Sequence, residues 1–227
     1  MIISEPVDQA APLLKLENLS CSYPGAPERL VLRDVNLEVR DGEKFGLVGS
    51  NGSGKTTLFR CVTGLSKSAG SIFLNSRRVE TEKDFQYLRG VVGYVLQNSD
   101  DQLIFPTVME DLVFGPLNLG LSPEEARARA EETLLALGLG DYGERISWNL
   151  SGGEKKLVAI ASILVMRPRL ILLDEPLNEL DEKASARVRE TISSLNRAAI
   201  VISHDMGFLE ELGAKIVRLK DGRLLRE

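Results

Sequence analysis

The apolar positions of the chain follow two different periods, which divide it into strand-like and helix-like stretches. Partial alternation over residues 13–20 and 31–39, with a turn-rich segment at 23–27 between them, predicts two strands. Short apolar runs predict six more strands, and the last four are rich enough in Val, Ile and Leu to be covered on both faces. These six runs are residues 44–48, 71–74, 91–96, 170–173, 199–202 and 215–219.

Four other stretches have the apolar spacing or the end signals of helices. Ser122 followed by Pro123 marks a helix start, and the charged run 124–132 behind them predicts a solvent-exposed helix face. Ser151 and Glu154 form a capping box that opens another helix. The four predicted helices are residues 56–63, 108–118, 123–137 and 155–166.

Strands and helices alternate along most of the chain, which indicates one α/β domain over residues 1–227. The region 98–149 differs, because its two helices follow each other without a strand between them. We therefore predict a helical subdomain of residues 98–149 inserted into a core of residues 1–97 and 150–227. Trp148 is expected to pack this subdomain against the helix that follows it.

Composition narrows the range of functions. The chain has 28 basic and 33 acidic residues, a net charge of −5, so it lacks the broad basic face of a dedicated nucleic-acid binder. Its longest apolar run, residues 157–166, is too short to cross a bilayer, and residues 1–14 lack the features of a secretory signal. Cys21 and Cys61 fit reduced packing residues of a cytosolic protein. If the protein works at a membrane, it must therefore do so through a partner subunit.

The segment after the strand 44–48 matches the P-loop pattern at every required position. Its glycines let backbone N–H groups surround phosphates, Lys55 is placed to reach the β- and γ-phosphates, and Thr56 offers a hydroxyl to Mg²⁺. Because a strand precedes the loop and a helix follows it, we predict ATP with Mg²⁺ as the ligand. The predicted ATP-binding residues are Gly49, Ser50, Asn51, Gly52, Ser53, Gly54, Lys55, Thr56 and Thr57.

A second candidate phosphate site lies at the start of a later helix, at Leu150, Ser151, Gly152, Gly153 and Glu154. Each glycine in a helix costs about 1 kcal/mol relative to alanine, so a plain capping box does not account for two of them. A helix N-terminus attracts phosphate, and glycine lets a phosphate approach the bare backbone. A chain with both sites is expected to hold ATP between two copies of itself.

Polar side chains follow two predicted strands, at the sheet edge where α/β proteins bind ligands. We expect Asp174 to hold Mg²⁺ or its water, and Glu175 to orient and polarise the attacking water. His204 is expected at the same edge, in contact with the γ-phosphate or with the water near Glu175. Acids at a strand end are often turn residues and a lone histidine is more often structural, but a P-loop in the same chain favours function.

Two further residues have weaker signals. Gln97 ends the strand 91–96, where it can reach the metal or the water, although polar residues are common at strand ends. Tyr23 lies in a turn upstream of the P-loop, where its ring can stack on adenine.

Taken in order, these motifs resemble those of the ATP-binding-cassette (ABC) nucleotide-binding domains over residues 14–226. The resemblance implies a P-loop NTPase core with a mixed, mainly parallel sheet, an N-terminal antiparallel β portion and the inserted helical subdomain. It also implies an ATPase that dimerises head to tail, with each P-loop facing the partner's signature motif (residues 150–154). The D-loop, which contains Asp181, crosses that interface. The resemblance further implies that hydrolysis opens the dimer and that this movement drives a partner.

A narrower resemblance is to the ATPases of energy-coupling-factor importers, which take up cobalt, nickel or vitamins. It is carried by residues 97–102 (QNSDDQ), 105–108 (FPTV) and 114–121 (FGPLNLGL). It implies a transmembrane coupling subunit and a substrate-binding membrane component as partners, and a peripheral position on the cytoplasmic face of the membrane.

In that family the stretch lines a groove that receives the coupling helices. The residues of this stretch suit such a groove, because apolar side chains can anchor a partner helix while acidic side chains surround the contact. Alternatively, the same residues only pack the helical subdomain. The predicted anchors are Leu103, Ile104 and Phe105, and the predicted rim is Asp100, Asp101, Glu110 and Asp111.

Three positions depart from the family pattern. Ser99 stands where members usually have proline, Leu177 where a threonine is usual, and Glu179 where a small residue is usual. Because the D-loop lies at the dimer interface, a charged Glu179 bears on whether the chain forms a homodimer or pairs with a second ABC ATPase subunit.

Two other functions remain open. The chain can be the ATPase of a different transporter type, against which residues 97–102 and 114–121 argue by resemblance alone. A soluble cassette ATPase acting on DNA or the ribosome usually fuses two cassettes or inserts a coiled coil. This chain has one cassette, no heptad insertion and an acidic balance, so no nucleic-acid partner is expected.

Overall fold

The computed structural model describes residues 11–23 and 25–226. Residues 1–10, which carry most of the segment predicted not to be a secretory signal, lie outside the described residues, as does Pro24 of the predicted turn. The strands are β1 (Leu14–Tyr23), β2 (Ala26–Val39), β3 (Lys44–Val48), β4 (Ala69–Leu74), β5 (Arg77–Val79), β6 (Val92–Val95), β7 (Leu170–Asp174), β8 (Ala198–Ile202), β9 (Lys215–Lys220) and β10 (Arg223–Arg226). The helices are α1 (Lys55–Val62), α2 (Glu82–Val91), α3 (Val108–Asn118), α4 (Pro123–Ala136), α5 (Gly152–Leu164), α6 (Glu182–Ser193) and α7 (Met206–Glu211).

Two sheets organise the molecule. The first is antiparallel, in the order β2-β1-β4-β5. The second has the order β10-β9-β3-β8-β7-β6, and its strands run parallel apart from the antiparallel β10. An N-terminal antiparallel sheet beside a mixed, mainly parallel one confirms the predicted α/β fold class.

The larger sheet separates two hydrophobic clusters, which explains the apolar runs of its inner strands. Alternate residues of β7, such as Leu170 and Leu172, join the cluster shared with α1 and the antiparallel sheet. Ile171 and Leu173 point the other way, into the cluster formed with α3, α4, α5, α6 and α7. β7 and β8 are buried at every residue, as strands covered on both faces should be.

The prediction of a strand covered on both faces is wrong for β9. Its residues alternate between exposed and buried, with Val217 and Leu219 inward and Lys215 and Lys220 outward. Val217 and Leu219 belong to one hydrophobic cluster and Ile216 packs against the other, but the charged Lys215, Arg218 and Lys220 are exposed, so the strand is only partly covered. The predicted strand 91–96 is also shorter than expected, because Val91 is the last residue of α2.

The sequence predictions omit α2, α6, α7, β5 and β10. These elements are short or mostly polar, and α6 buries only Val188 and Ile192. Their start signals are present nonetheless, since Thr81 and Asp84 form a capping box for α2 and Asp181 caps α6. The predicted helices 108–118 and 123–137 are confirmed, with Leu137 as the residue that caps the end of α4.

The two helices between β6 and α5 pack on each other and on α5. The charged face of α4 is exposed, as predicted. Trp148 is 61% exposed, so the prediction that it packs this region against α5 is wrong. The ring lies instead on a short 3₁₀ turn, Ser147–Asn149, whose buried residue is Ser147. The division into residues 98–149 and the surrounding core stays a prediction.

Within residues 11–23 and 25–226, no helix has both the length and the apolar character needed to cross a bilayer.

Candidate active site

The parallel strands bring the predicted site residues to one edge of the sheet. There they line a cleft of about 470 Å³. The segments at the ends of β3, β6, β7 and β8 contribute to it, together with the end of β1 and Val31 of β2. The lining residues are Tyr23, Val31, Asn51, Gly52, Gly54, Lys55, Thr56, Thr57, Gln97, Asp174, Glu175, Asn178, Ile202 and His204.

The P-loop has the backbone shape of a phosphate cradle. Gly52 and Gly54 have φ angles of 77° and 102°, in the left-handed region that glycine adopts without strain. The buried Lys55 ammonium donates to the carbonyl oxygens of Gly49 and Ser50, at 2.8 and 3.2 Å. The Ser53 hydroxyl is buried and makes no hydrogen bond within the described part of the chain. Such a loop fits the phosphates of a nucleotide.

Asp174 is almost completely buried, and its two carboxylate oxygens differ. Tyr94 donates its hydroxyl to Oδ2 at 3.1 Å, whereas Oδ1 is buried without a hydrogen bond to any described residue. Burial raises the pKa of Asp174, and Thr56, Tyr94, Lys55 and Lys156 oppose that rise. A free carboxylate oxygen near a threonine hydroxyl fits the oxygen ligands that Mg²⁺ prefers. Tyr94 was missed because nothing in the sequence indicates which side chain crosses from β6 to β7.

Glu175 and His204 are in direct contact. Nε2 of His204 lies 3.1 Å from Oε1 of Glu175, with the histidine half exposed and the carboxylate mostly buried. Glu175 has a φ of 45°, an uncommon conformation for a residue with a side chain. Its N–H donates to the carbonyl of Ile202 at 3.0 Å, which ties the end of β7 to β8. Strained backbone of this kind is typical of functional positions.

Tyr23 also lines the cleft. It is the last residue of β1 rather than a turn residue, which corrects the prediction of its local structure. Its ring is partly exposed, and the guanidinium of Arg29 lies 4.7 Å from the ring centre. One face of the ring therefore already has a cationic neighbour.

The segment 150–154 does not line this cleft. Ser151 caps α5 in a complete capping box with Glu154. Glu154 also accepts a 2.6 Å hydrogen bond from the Tyr142 hydroxyl, and this bond and those from Ser151 lower the pKa of Glu154 to about 2. Ser151 and Gly152 are exposed, so this helix start faces outward from the chain.

The two glycines of this segment have different surroundings. A Cβ on Gly152 would meet nothing within 4 Å, which is compatible with the approach of a phosphate. A Cβ on Gly153 would lie 2.4 Å from the Cβ of Ala184 on α6. The packing of α5 on α6 therefore already requires glycine at position 153, and the phosphate contact of both glycines stays a prediction.

The three family departures have different local settings. Ser99 is buried at the start of the 3₁₀ turn Ser99–Asp101, whose cap is the Asn98 side chain. Leu177 packs against the cluster on the helical side of the sheet. Glu179 is exposed with a φ of 61°, so the D-loop has a backbone shape here that favours glycine. Asp181 follows, and its carboxylate accepts from the Ala184 N–H at 2.8 Å.

An exposed apolar surface lies beside Gln97, on the loop before α3 and on α3 itself. Ile104 is 66% exposed, and the Phe105 and Phe114 rings pack with their centres 5.1 Å apart. Asp111 does not belong to an acidic rim, contrary to the prediction, because it is buried. Its carboxylate accepts from the N–H groups of Ile104 and Phe105, at 2.9 and 3.1 Å, and holds the loop in shape.

Comparisons with known proteins agree with this geometry. The family model described as ABC transporter matches residues 32–178. A protein of Nitratidesulfovibrio vulgaris is 45% identical over 93% of this chain and 77% of its own length; it is named only provisionally, as an ABC transporter ATP-binding protein. The energy-coupling factor transporter ATP-binding protein EcfA of Methanothermobacter thermautotrophicus is 41% identical over 95% of this chain and 70% of its own. The chain belongs to the ABC transporter family.

Solved structures show the same fold. CbiO1 of Clostridium perfringens, described as part of the ABC transporter complex CbiONQ, has a TM-score of 0.80 and 31% identity, covering 95% of this chain and 87% of its own. The ATP-binding cassette MJ0796, solved as a dimer bound to ADP and phosphate in a post-hydrolysis state, has a TM-score of 0.81 and 28% identity, covering 94% and 97%. The protein is thus an ABC ATPase, the ATP-binding subunit of a transporter.

The different surroundings of Gly152 and Gly153 predict different costs of substitution. Gly153→Ala should lower the free energy of unfolding by about 1–3 kcal/mol, because the added methyl group overpacks the contact with Ala184. Gly152→Ala, the matched control, should change it by less than about 0.5 kcal/mol. Urea unfolding of both variants measures this, and equal stabilities would show that α5 does not pack on α6 as described.

The backbone shape at Glu179 predicts an unusual gain of stability. Glu179→Gly should raise the free energy of unfolding by on the order of 0.5–1 kcal/mol, because glycine adopts a positive φ without strain. Glu190→Gly, at an exposed position inside α6, should instead lower it by about 1 kcal/mol. Thermal unfolding compares the two, and a loss of stability in both would count against a left-handed Glu179.

Proposed function

We propose that this protein is the ATP-hydrolysing subunit of an energy-coupling-factor-type importer of the cobalt, nickel or vitamin class. One observation supports the ATPase part most strongly. The P-loop, Gln97, Asp174, Glu175 and His204 line one cleft, although up to about 150 residues of chain separate them. The EcfA-named relatives and the likeness to CbiO1 support the transporter class.

In this proposal the P-loop backbone and Lys55 bind the β- and γ-phosphates, and Tyr23 stacks on the adenine through the ring face away from Arg29. Asp174 Oδ1 and the Thr56 hydroxyl would hold Mg²⁺, with Gln97 at the same site. Bound Mg²⁺ supplies positive charge that offsets the charge developing on the phosphate oxygens.

Glu175 is proposed to orient the attacking water and accept its proton. Its carboxylate is mostly buried, so it is shielded from bulk water, and His204 fixes one of its oxygens at 3.1 Å. His204 is half exposed on the cleft side, where it can donate to the γ-phosphate. It acts as a positioning residue and a phosphate contact rather than as the principal base.

The cleft of one chain is incomplete in this proposal. Leu150, Ser151, Gly152, Gly153 and Glu154 lie outside it, and Ser151 and Gly152 are exposed. A second ABC ATPase subunit, either another copy or a related chain, would place its own helix start against the γ-phosphate. Two ATP molecules would then be buried between the subunits, with the loop that contains Asp181 at the interface. Charge at the exposed Glu179 would influence which partner is accepted.

We propose that the transmembrane coupling subunit docks on the apolar surface beside Gln97, formed by Ile104, Phe105, Phe114 and Leu117. Exposed Asp101 and Glu110 border this surface, which suits an amphipathic helix with basic flanks. The protein would thus be held peripherally on the cytoplasmic face of the membrane by its partners, including the component that binds the substrate.

Glu175→Gln tests the catalytic assignment. The variant should bind a fluorescent ATP analogue with wild-type affinity and lower kcat by at least about 100-fold, because the amide cannot accept a proton. With ATP it should accumulate as a dimer, or with its partner ATPase if the working pair is a heterodimer. Lys55→Ala is the control that should lose nucleotide affinity instead. Full turnover in Glu175→Gln would remove this residue from its proposed role.

Ile104→Asp tests the docking surface. The side chain is mostly exposed, so the fold and the basal ATPase rate should be retained, while a charge in the centre of an apolar contact should abolish capture of the transmembrane subunit. Leu135→Asp, at a 74% exposed site on α4, is the matched control and should leave capture unchanged. Affinity purification from detergent-solubilised host membranes measures both. Undiminished capture by Ile104→Asp would contradict the assignment.

A further inference from the structure

We propose that Lys156 is a positioning residue that holds the Gln97 loop against α5, so that Gln97 and the helix carrying the signature motif move as one unit. The inference rests on the proposed role of Gln97 and extends it. Gln97 itself is exposed and sits on a loop, so its position depends on what holds the backbone around it.

The Lys156 side chain is buried on α5, with only 3% of the residue exposed. Lysine is almost never buried this deeply without strong partners. Its ammonium donates to the carbonyl oxygen of Gln97 at 2.6 Å and, less closely, to that of Leu96 at 3.4 Å. A buried charge is thus directed at the main chain of the residue expected to reach the metal or the water.

Gln102 holds the same loop from its other end. Its Oε1 accepts from the Leu96 N–H at 3.0 Å, and its Nε2 donates to the Ala159 carbonyl and the Ser162 hydroxyl of α5, at 2.7 and 3.0 Å. Leu96 is therefore bonded to α5 through Gln102. Gln97 is bonded to the same helix through Lys156. Displacement of the loop relative to α5 would break both links.

Electrostatic interactions with carboxylates are a second connection between Lys156 and the site. The carboxylates of Asp174 and Glu179 act electrostatically on its ammonium, and they oppose the effect of burial, which lowers the pKa of Lys156. Besides its hydrogen bonds to the loop after β6, the Lys156 ammonium is thus within electrostatic range of Asp174 and Glu179.

Lys156→Met is the informative variant, because methionine keeps the length of the side chain and removes the ammonium. We expect kcat to fall at least tenfold while KM for ATP stays within about twofold, since a misplaced catalytic group costs rate rather than nucleotide binding. The melting temperature should stay within a few degrees, because the change also removes a buried charge. Lys155→Met is the control, because its ammonium bonds at 2.6 Å to the exposed Asp100 side chain, three residues beyond Gln97, and not to the backbone of Leu96 or Gln97; kcat should change less than twofold.

A double-mutant cycle with Gln97→Ala separates the inference from the proposed function. If Lys156 acts through Gln97, the double variant should be no slower than the slower single variant. Full turnover in Gln97→Ala would refute the role of Gln97. A slow Gln97→Ala with a normal Lys156→Met, or losses that multiply in the double variant, would overturn the inference about Lys156.

Gln102→Leu provides a second variant if Lys156→Met does not fold. It removes the link from α5 to the backbone of Leu96, and kcat is expected to fall at least fivefold with KM for ATP unchanged. Wild-type turnover in this variant would also overturn the inference.

Discussion

The parallel hydrogen-bond ladder that joins β6, β7, β8 and β3 is the constraint on which the site depends, because it brings four strand ends to the same edge. Burial of β7 and β8 on both faces fixes their register, and the two hydrophobic clusters on either side leave little freedom for slippage. Asp174 is the last residue of β7, so the same packing that stabilises the sheet buries its carboxylate and leaves one oxygen for a ligand.

The sequence was sufficient for those parts of the site that lie at strand ends. A P-loop, two acids after an apolar strand and a histidine after another are local patterns, and parallel pairing then places them together. The residues that hold them were not predictable in this way. Tyr94 reaches Asp174 from the neighbouring strand, and Lys156 reaches Gln97 from a helix about 60 positions later, so both contacts depend on tertiary packing. The same reason explains the wrong predictions for Trp148 and Asp111.

Gly153 shows that a residue of a predicted site motif can also be required by the fold. Ala184 leaves no room for a Cβ at position 153, and the Ala184 N–H donates to the carboxylate of Asp181 in the D-loop. The signature helix, α6 and the D-loop are therefore joined within one chain, and Lys156 joins the same helix to the Gln97 loop. Direct contacts thus connect the D-loop, α6, α5 and the Gln97 loop within one chain.

Each chain is proposed to supply half of an ATP site, and Gly152 allows a direct test of this. An acid at this position favours the start of a helix but repels phosphate, so Glu175→Gln and the double variant Glu175→Gln/Gly152→Asp should bind a fluorescent ATP analogue equally well as monomers. Light scattering after gel filtration with ATP should then show dimers, or pairs with the partner ATPase, for the single variant only. Assembly of the double variant to the same extent, or loss of its ATP binding, would contradict the account.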